Sequence, residues 1–344
     1  TLREAGINPY YLDMANIREH CSWVHSKEQE DATQKAKEII AMSVARARHL
    51  ESLQEFDLPV NKAALVVGGG LAGMTCALEI AEQGHEVHLV EKDTDLGGLA
   101  RKIRHTLEGM DVQAHLSDLV GRVYRHPSIN VFTEAEITEA AGYVGNFVTT
   151  VRSKTGTTEI EHGAAVIAIG ADVHTPTEYL YGNDNRVLTH LELEEKITAG
   201  EDSLINARSL VMIQCVGCRN EDRNYCSRIC CSESVKNALK LKELNPEMDI
   251  YIIYRDMRTY GFKEDYYREA ANQGITFIRY EPDDKPLVEP VEEAGRPFLR
   301  ITLPDPILGK TIALDADCLV LAAAVIPSAG AKEIAGLFKV TLDP

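Results

Sequence analysis

The chain has 344 residues, 44% of them hydrophobic and 26% charged, which is enough for about two domains with a sizeable buried core. Its 36 Lys and Arg against 53 Asp and Glu give a net charge of −17, and no basic tract is long enough to track a phosphate backbone, which excludes nucleic-acid binding. No apolar run approaches the roughly 18 residues of a membrane span, and no secretory apolar segment is present, so a cytoplasmic protein is expected.

Residues 1–60 read as a helical N-terminal segment. Asn16 to His25, carrying Cys21, Trp23 and two histidines, is a short helical candidate. A longer one spans 31–53, where Ala36, Ile39, Ile40, Val44, Ala47 and Leu50 recur at helical spacing. The boundary falls at 57–60, because the residue before Pro59 avoids helix. From 61 onward strand and helix alternate. The spacing predicts a strand over 64–67, a glycine turn, a helix over 72–83 ended by Gly84, and a strand over 86–90. Residues 131–160 read as a β-meander, and 164–169 as a buried strand closed by Gly170. A second α/β unit opens with a strand over 209–214. After a cysteine-rich loop come a helix over 234–244, a strand over 250–254, a helix over 263–273 and a strand over 276–280. A hairpin pairing 299–303 with 311–314 and a buried strand over 318–322 follow.

Two strand–helix–strand units joined by meanders describe an α/β two-dinucleotide-binding-domain flavoprotein. The expected division is a FAD-binding Rossmann-like domain at 61–204 and a second α/β domain at 205–328 that carries the cysteines. Residues 329–344 then begin a return to the first domain. The chain opens on Thr1 and stops at Pro344 just after a helical pattern, so it reads as part of a longer polypeptide.

Gly68, Gly70 and Gly73 form G-x-G-x-x-G directly after an apolar strand and at a helix start, with Leu71 and Ala72 inside the motif. Such glycines allow a tight turn, close backbone approach to a pyrophosphate, and close helix–strand packing. Glu91 follows Gly73 by 18 residues, at the end of the second strand, where a carboxylate takes ribose hydroxyls, and Lys92 follows it. Gly97 and Gly98, with Leu99 after them, begin another helix and add a second glycine turn that a nicotinamide domain does not need. Together with the strand closed by Gly170, these residues predict FAD.

Five of the eight cysteines fall within 215–231, the position where a hydride-accepting flavoprotein would open its second unit on another glycine motif. No such motif follows, so a nicotinamide site is not expected there. Three readings of the cysteines compete: an iron–sulfur cluster on close-set thiolates, a structural zinc site, and a C-x-x-C dithiol at Cys215 and Cys218.

The run from Tyr10 to His25 (YYLDMANIREHCSWVH), the 68–73 loop, the 215–231 cysteines and Tyr254 to Phe262 (YRDMRTYGF) together resemble the A-type subunit of heterodisulfide reductases, over essentially the whole chain. The resemblance implies FAD in a thioredoxin-reductase-like fold and a [4Fe–4S] cluster on Cys215, Cys226, Cys230 and Cys231. The C-x10-C-x3-C-C spacing agrees with this, and Cys218 is a departure from the family pattern. It further implies flavin-based electron bifurcation, in which one electron goes to a ferredoxin and the other toward a disulfide-reducing partner. The implied partners are B- and C-type subunits, a hydrogenase- or dehydrogenase-linked donor, and a second copy in a homodimer. Relatives serve methanogenesis, sulfur oxidation and sulfate reduction. Long members carry an inserted ferredoxin-like motif in the flavin domain, and 145–163 here has no such insertion. They also continue into a last flavin-domain segment beyond the position of Pro344.

Lys236, five residues after Cys231, is the candidate cation for tuning a flavin. Arg219 and Arg228 are placed to offset charge at the cysteines. Cys21, Cys76 and Cys318 read as packing residues, and Arg255, Arg258, Tyr260 and Tyr266 as a partner or packing surface.

Overall fold

Short runs of Val, Leu, Ile and Ala with no polar alternation suit strands covered on both faces, the signature of a parallel sheet. The computed structural model describes residues 2–343, and Thr1 and Pro344 lie outside the described residues. The chain divides into two compact units, 1–59 and 60–344.

In the first unit a single helix, α1 (Gln29–Ala47), replaces the longer span expected. It stops at 47 because His49 and Leu50 turn back onto Arg46 and Ala47 with tighter bonds. The expected short helix around 16–25 is one π-type turn at Arg18–Ser22. Cys21 is buried there, its thiol donating to the Ala32 carbonyl at 2.8 Å.

The second unit begins β1 (Ala64–Val67), α2 (Leu71–Glu82), β2 (Val87–Val90), α3 (Val112–Arg125), β3 (Ile129–Phe132). A meander of β4 (Ala135–Tyr143), β5 (Asn146–Ser153) and β6 (Gly156–His162) leads to β7 (Ala164–Ile167). The parallel sheet has the order β3-β2-β1-β7. As its edge strand β7 is only half-buried, which corrects the expectation of a fully buried strand. β8 (Ala171–Val173), β9 (Val187–Thr189), α4 (His190–Ala199) and α5 (Asp202–Ile205) lead to the next layer. There β10 (Ser209–Val216), α6 (Cys230–Leu244), β11 (Asp249–Tyr254), α7 (Lys263–Asn272) and β12 (Thr276–Arg279) alternate.

The expected hairpin is a three-stranded meander of β13 (Leu287–Glu293), β14 (Arg296–Asp305) and β15 (Lys310–Ala316). β16 (Cys318–Ala323) is buried throughout, and β17 (Val325–Pro327) and α8 (Ala331–Phe338) follow. The second parallel sheet has the order β12-β11-β10-β16-β9. It thus places β10 at its centre, with β11 on one side and β16 on the other. Leu210, Met212, Val235, Leu241 and Ile252 pack one face of it, and Val211, Ile213, Leu299, Ile301 and Leu319 the other. Among the described residues no helix is long and apolar enough to cross a membrane.

Candidate functional site

β1 delivers its backbone into the glycine turn, where Gly68 adopts φ +105°, a conformation open to glycine and closed to most residues. A Cβ on Gly73 would overlap the Gly68 carbonyl oxygen, so the third glycine is what lets α2 pack on the turn. Gly70 caps α2 with extended backbone and no side-chain bond to the first-turn N–H groups, leaving those donors free for an anion. A Cβ on Gly70 would meet nothing within 4 Å. Leu71 and Ala72, in the first turn of α2, are exposed.

The second glycine turn lies directly against the first. Gly97 donates its N–H to the Gly69 carbonyl at 2.8 Å, and Gly70 bridges Gly97. Gly97 and Gly98 both have positive φ, at +121° and +53°, and Leu99 beyond them is exposed. Glu91, at the end of β2, is buried, and its two carboxylate oxygens accept the N–H of Gly69 at 2.6 Å and of Asp93 at 2.9 Å. Beyond Glu91 an open cavity of about 630 Å³ is lined by Lys92, Thr94, Arg101, Glu134, Arg152 and Lys154, among others. Asp93 and Asp95 pair with Arg101 at this rim instead of standing free. Gly170 turns the chain after β7 with φ +68° in open space.

β10 carries Cys215 at its C-terminal end, where Cys215 itself takes a left-handed φ of +64°. Gly217, Arg219 and Arg228 also have positive φ, so the loop to α6 is built from backbone that costs energy to hold, as functional loops often are. All five cysteines here are unpaired. They form a string of electrostatic neighbours: Cys215 with Cys218, Cys218 with Cys230, Cys230 with Cys231, and Cys231 with Cys226. Arg219 approaches the Cys215 sulfur at 3.9 Å, and the Arg228 backbone N–H donates to the Cys226 sulfur at 3.3 Å.

Among the described residues no three His, Cys, Asp or Glu side chains converge on the point a single metal ion would occupy. The donor set nevertheless fits a larger iron–sulfur group, because it is all thiol and strung across a loop and a helix start. Burial pushes the Cys230 thiol up to about 12 and raises Cys231 as well, so both need a bound cation to persist as thiolates near neutral pH.

Lys236 is buried two turns into α6 and is ion-paired with the buried Glu194 of α4. Glu194 also accepts the Arg104 backbone N–H at 3.0 Å, on the segment that leaves the Gly97–Gly98 turn. The pair therefore ties the segment after the second glycine turn to the helix that follows the cysteine loop. Beside it Ser234 joins Gln214 (2.5 Å) to His190 (2.9 Å), and Asn237 contacts the other ring nitrogen of His190 at 3.2 Å. Sequence reasoning missed Glu194 and His190, although Thr189 and Glu192 form a capping box that announces their helix. Cys76 is half-buried on α2, while Cys318 is in the core.

Residues 66–132 match the NAD(P)-binding Rossmann-like domain family. The chain is 31% identical over 436 residues to the A-type iron–sulfur subunit of the CoB–CoM heterodisulfide reductase of Methanocaldococcus jannaschii, covering 100% of this chain and 66% of that one. Its identity to the corresponding iron–sulfur protein of Methanopyrus kandleri, the second of two A-type forms there, is 32% with the same coverage. The chain belongs to the family of heterodisulfide reductase A-type subunits. It spans 66% of the length of these relatives, and the matched stretch of 436 residues exceeds its own 344, so the longer relatives carry additional residues within it. The Lactococcus lactis thioredoxin reductase has the same fold, with a TM-score of 0.51 at 16% identity over 78% of this chain and 79% of that one. The family's thioredoxin-reductase-like architecture therefore places the glycine cradle and the cysteine loop on successive α/β units of one chain.

Proposed function

We propose that this chain is the FAD- and [4Fe–4S]-carrying electron-transfer component of a heterodisulfide-reductase-like oxidoreductase. The observation that carries the reading is β10, which runs from the centre of a dinucleotide-type sheet into five clustered thiols where a phosphate-gripping glycine turn would stand. Gly68, Gly70, Gly73 and the α2 N-terminus would hold the FAD pyrophosphate, with Leu71 and Ala72 beside it and Gly97, Gly98 and Leu99 flanking it. Glu91 would take the ribose, the cavity beyond Lys92 the adenine end, and Gly170 would leave room at the far side. Cys215, Cys226, Cys230 and Cys231 would hold the cluster. A bound flavin supplies two-electron chemistry and a bound cluster one-electron chemistry, so the combination suits a relay that splits an electron pair.

The protein's own groups serve this by position. Lys236 offsets negative charge at the junction of the two sites, Arg219 faces Cys215, and the Arg228 backbone N–H faces Cys226. The relatives' names support membership of a heterodisulfide-reductase complex with ferredoxin among its partners; B- and C-type subunits, a hydrogenase- or dehydrogenase-linked donor and a second copy of the chain complete the proposed assembly. Metal analysis and visible spectroscopy of anaerobically prepared protein test the reading. Iron with a flavin spectrum is expected; zinc or no metal, or no flavin, overturns it.

One observation favours a second reading, a dithiol oxidoreductase working through Cys215 and Cys218. Their thiols are hydrogen-bonded, which holds the Cys218 thiol below the ordinary thiol range and raises Cys215. Iron-free protein that reduces disulfides and loses that activity on Cys218→Ser would establish it.

A further inference from the structure

β10 does not run straight into the cysteine loop. Its pairing with β16 sets Ile213 against Leu321 and Val216 against Ala323, so two residues of β10, Gln214 and Cys215, lie against the single Ala322. This is a bulge, the device by which a strand re-aims a side chain beside a site. The pairing of β10 with β11 ends at the same place, at Ile213 and Ile253. Just beyond it Cys215 takes its left-handed φ of +64°, and its thiol is hydrogen-bonded to Cys218. The facing strand takes part too, because the Cys230 thiol lies 3.8 Å from the Ala323 carbonyl. A left-handed cysteine where a ladder stops persists only if its surroundings over-determine it.

Tyr280, the residue after β12, supplies that restraint from two strands away. Its backbone N–H donates to the Tyr254 carbonyl of β11 at 2.9 Å, which seats it on the sheet. Its hydroxyl passes β11 and donates to the Gln214 carbonyl of β10 at 3.0 Å. Gln214 is gripped by its side chain as well, whose amide donates to Ser234 of α6 at 2.5 Å. Gln214 and Tyr280 are both buried, and Tyr280 is an electrostatic neighbour of Cys215. A ring that only fills the core needs no hydroxyl; this hydroxyl goes to the backbone immediately before Cys215. We infer that Tyr280 is a positioning residue for Cys215: by fixing the bulge at Gln214 it holds the Cys215 sulfur in place for the redox site. The inference rests on the reading of the cysteine loop as a redox site, and Cys215 serves in both forms of that reading, as cluster ligand or as half of a dithiol.

The test compares Tyr280→Phe with Tyr181→Phe in the full chain, prepared anaerobically. Tyr181 gives up a similar phenol hydrogen bond, to Glu192 of α4 at 2.9 Å. Tyr280→Phe is expected to bind iron but to release it to a chelator about two- to tenfold faster, the factor one hydrogen bond is worth. It should also shift the electron paramagnetic resonance signal of the reduced cluster. Tyr181→Phe should change neither, at a comparable urea midpoint. Wild-type release and signal in Tyr280→Phe, or equal changes in Tyr181→Phe, overturn the positioning role. Ser234→Ala frees Gln214 from the other side and carries the test should Tyr280→Phe not fold: a shifted signal supports the clamped bulge, and an unshifted one overturns it. Wild type without iron sinks the cluster reading by itself, and the alkylation rate of Cys215 relative to Cys226, followed by peptide mass mapping, then decides. A ratio raised by about twofold or more in Tyr280→Phe keeps the positioning role; an unchanged ratio ends it.

Discussion

Lys236 and Glu194 form a buried ion pair between α6 and α4, and Glu194 reaches on to the Arg104 backbone. Removing one partner strands the other charge away from water, so Lys236→Met is expected to destabilise the fold by about 3–5 kcal/mol. Lys236→Met combined with Glu194→Leu should recover most of that loss. Chemical denaturation of the two single variants and the double gives the coupling. A double variant no more stable than Lys236→Met would mean that the pair is not the reason for the loss.

His190 is fully enclosed, and burial pushes it down to about 3, with the Lys236 charge adding to the effect. The folded chain therefore refuses a proton that the unfolded chain accepts near its ordinary value of about 6.5. Unfolded binding of more protons means that stability rises with pH in this window, and is lost as pH falls from about 6.5 toward 3. At pH 5 the loss from this residue is about 2 kcal/mol. Urea midpoints from pH 7 to 5 should fall more steeply for the wild type than for His190→Gln. Parallel slopes would show that His190 is not the group responsible.

Much of this arrangement was legible in the sequence, and what was not has identifiable causes. The 64–67 strand, the 68–73 turn and the cysteine loop announce themselves because glycine and cysteine have few other uses in such patterns. α3 is not among the helices expected from the sequence, although Asp111 caps it and Val112, Leu116, Leu119 and Val123 recur at helical spacing. β7 reads as a core strand by its composition, yet sheet order makes it an edge. Glu194 could not be connected to Lys236 from spacing alone: 42 residues separate them, and only the packing of α4 on α6 joins them.

Two glycines of the first turn separate folding from binding. Alanine at Gly73 would collide with the Gly68 carbonyl, so α2 must move off β1, and a loss of about 1–3 kcal/mol is expected. Alanine at Gly70 meets no protein atom and keeps an ordinary φ of −74°, so stability should hold or rise by about 0.4–1 kcal/mol. Its methyl would nevertheless point where a pyrophosphate is proposed to lie. Gly70→Ala with unchanged thermal stability but little bound FAD supports that placement. Full FAD occupancy in this variant would move the phosphate elsewhere.

The cysteines can be sorted by exchange to serine. If Cys215, Cys226, Cys230 and Cys231 hold a cluster, each serine variant should lose most of its iron and its visible absorption, since one thiolate of four is gone. Cys218→Ser should keep both. Its thiol is engaged with Cys215 and Ser227, and a serine hydroxyl can take over those hydrogen bonds. Cys218 also borders Cys230, so it is positioned to replace a missing neighbour. The Cys230→Ser variant is then expected to retain part of its iron. Iron per chain, measured anaerobically on all five variants, decides the matter. Loss of iron in Cys218→Ser equal to that in the other four would make it a ligand, and one of the proposed four would have to be dismissed.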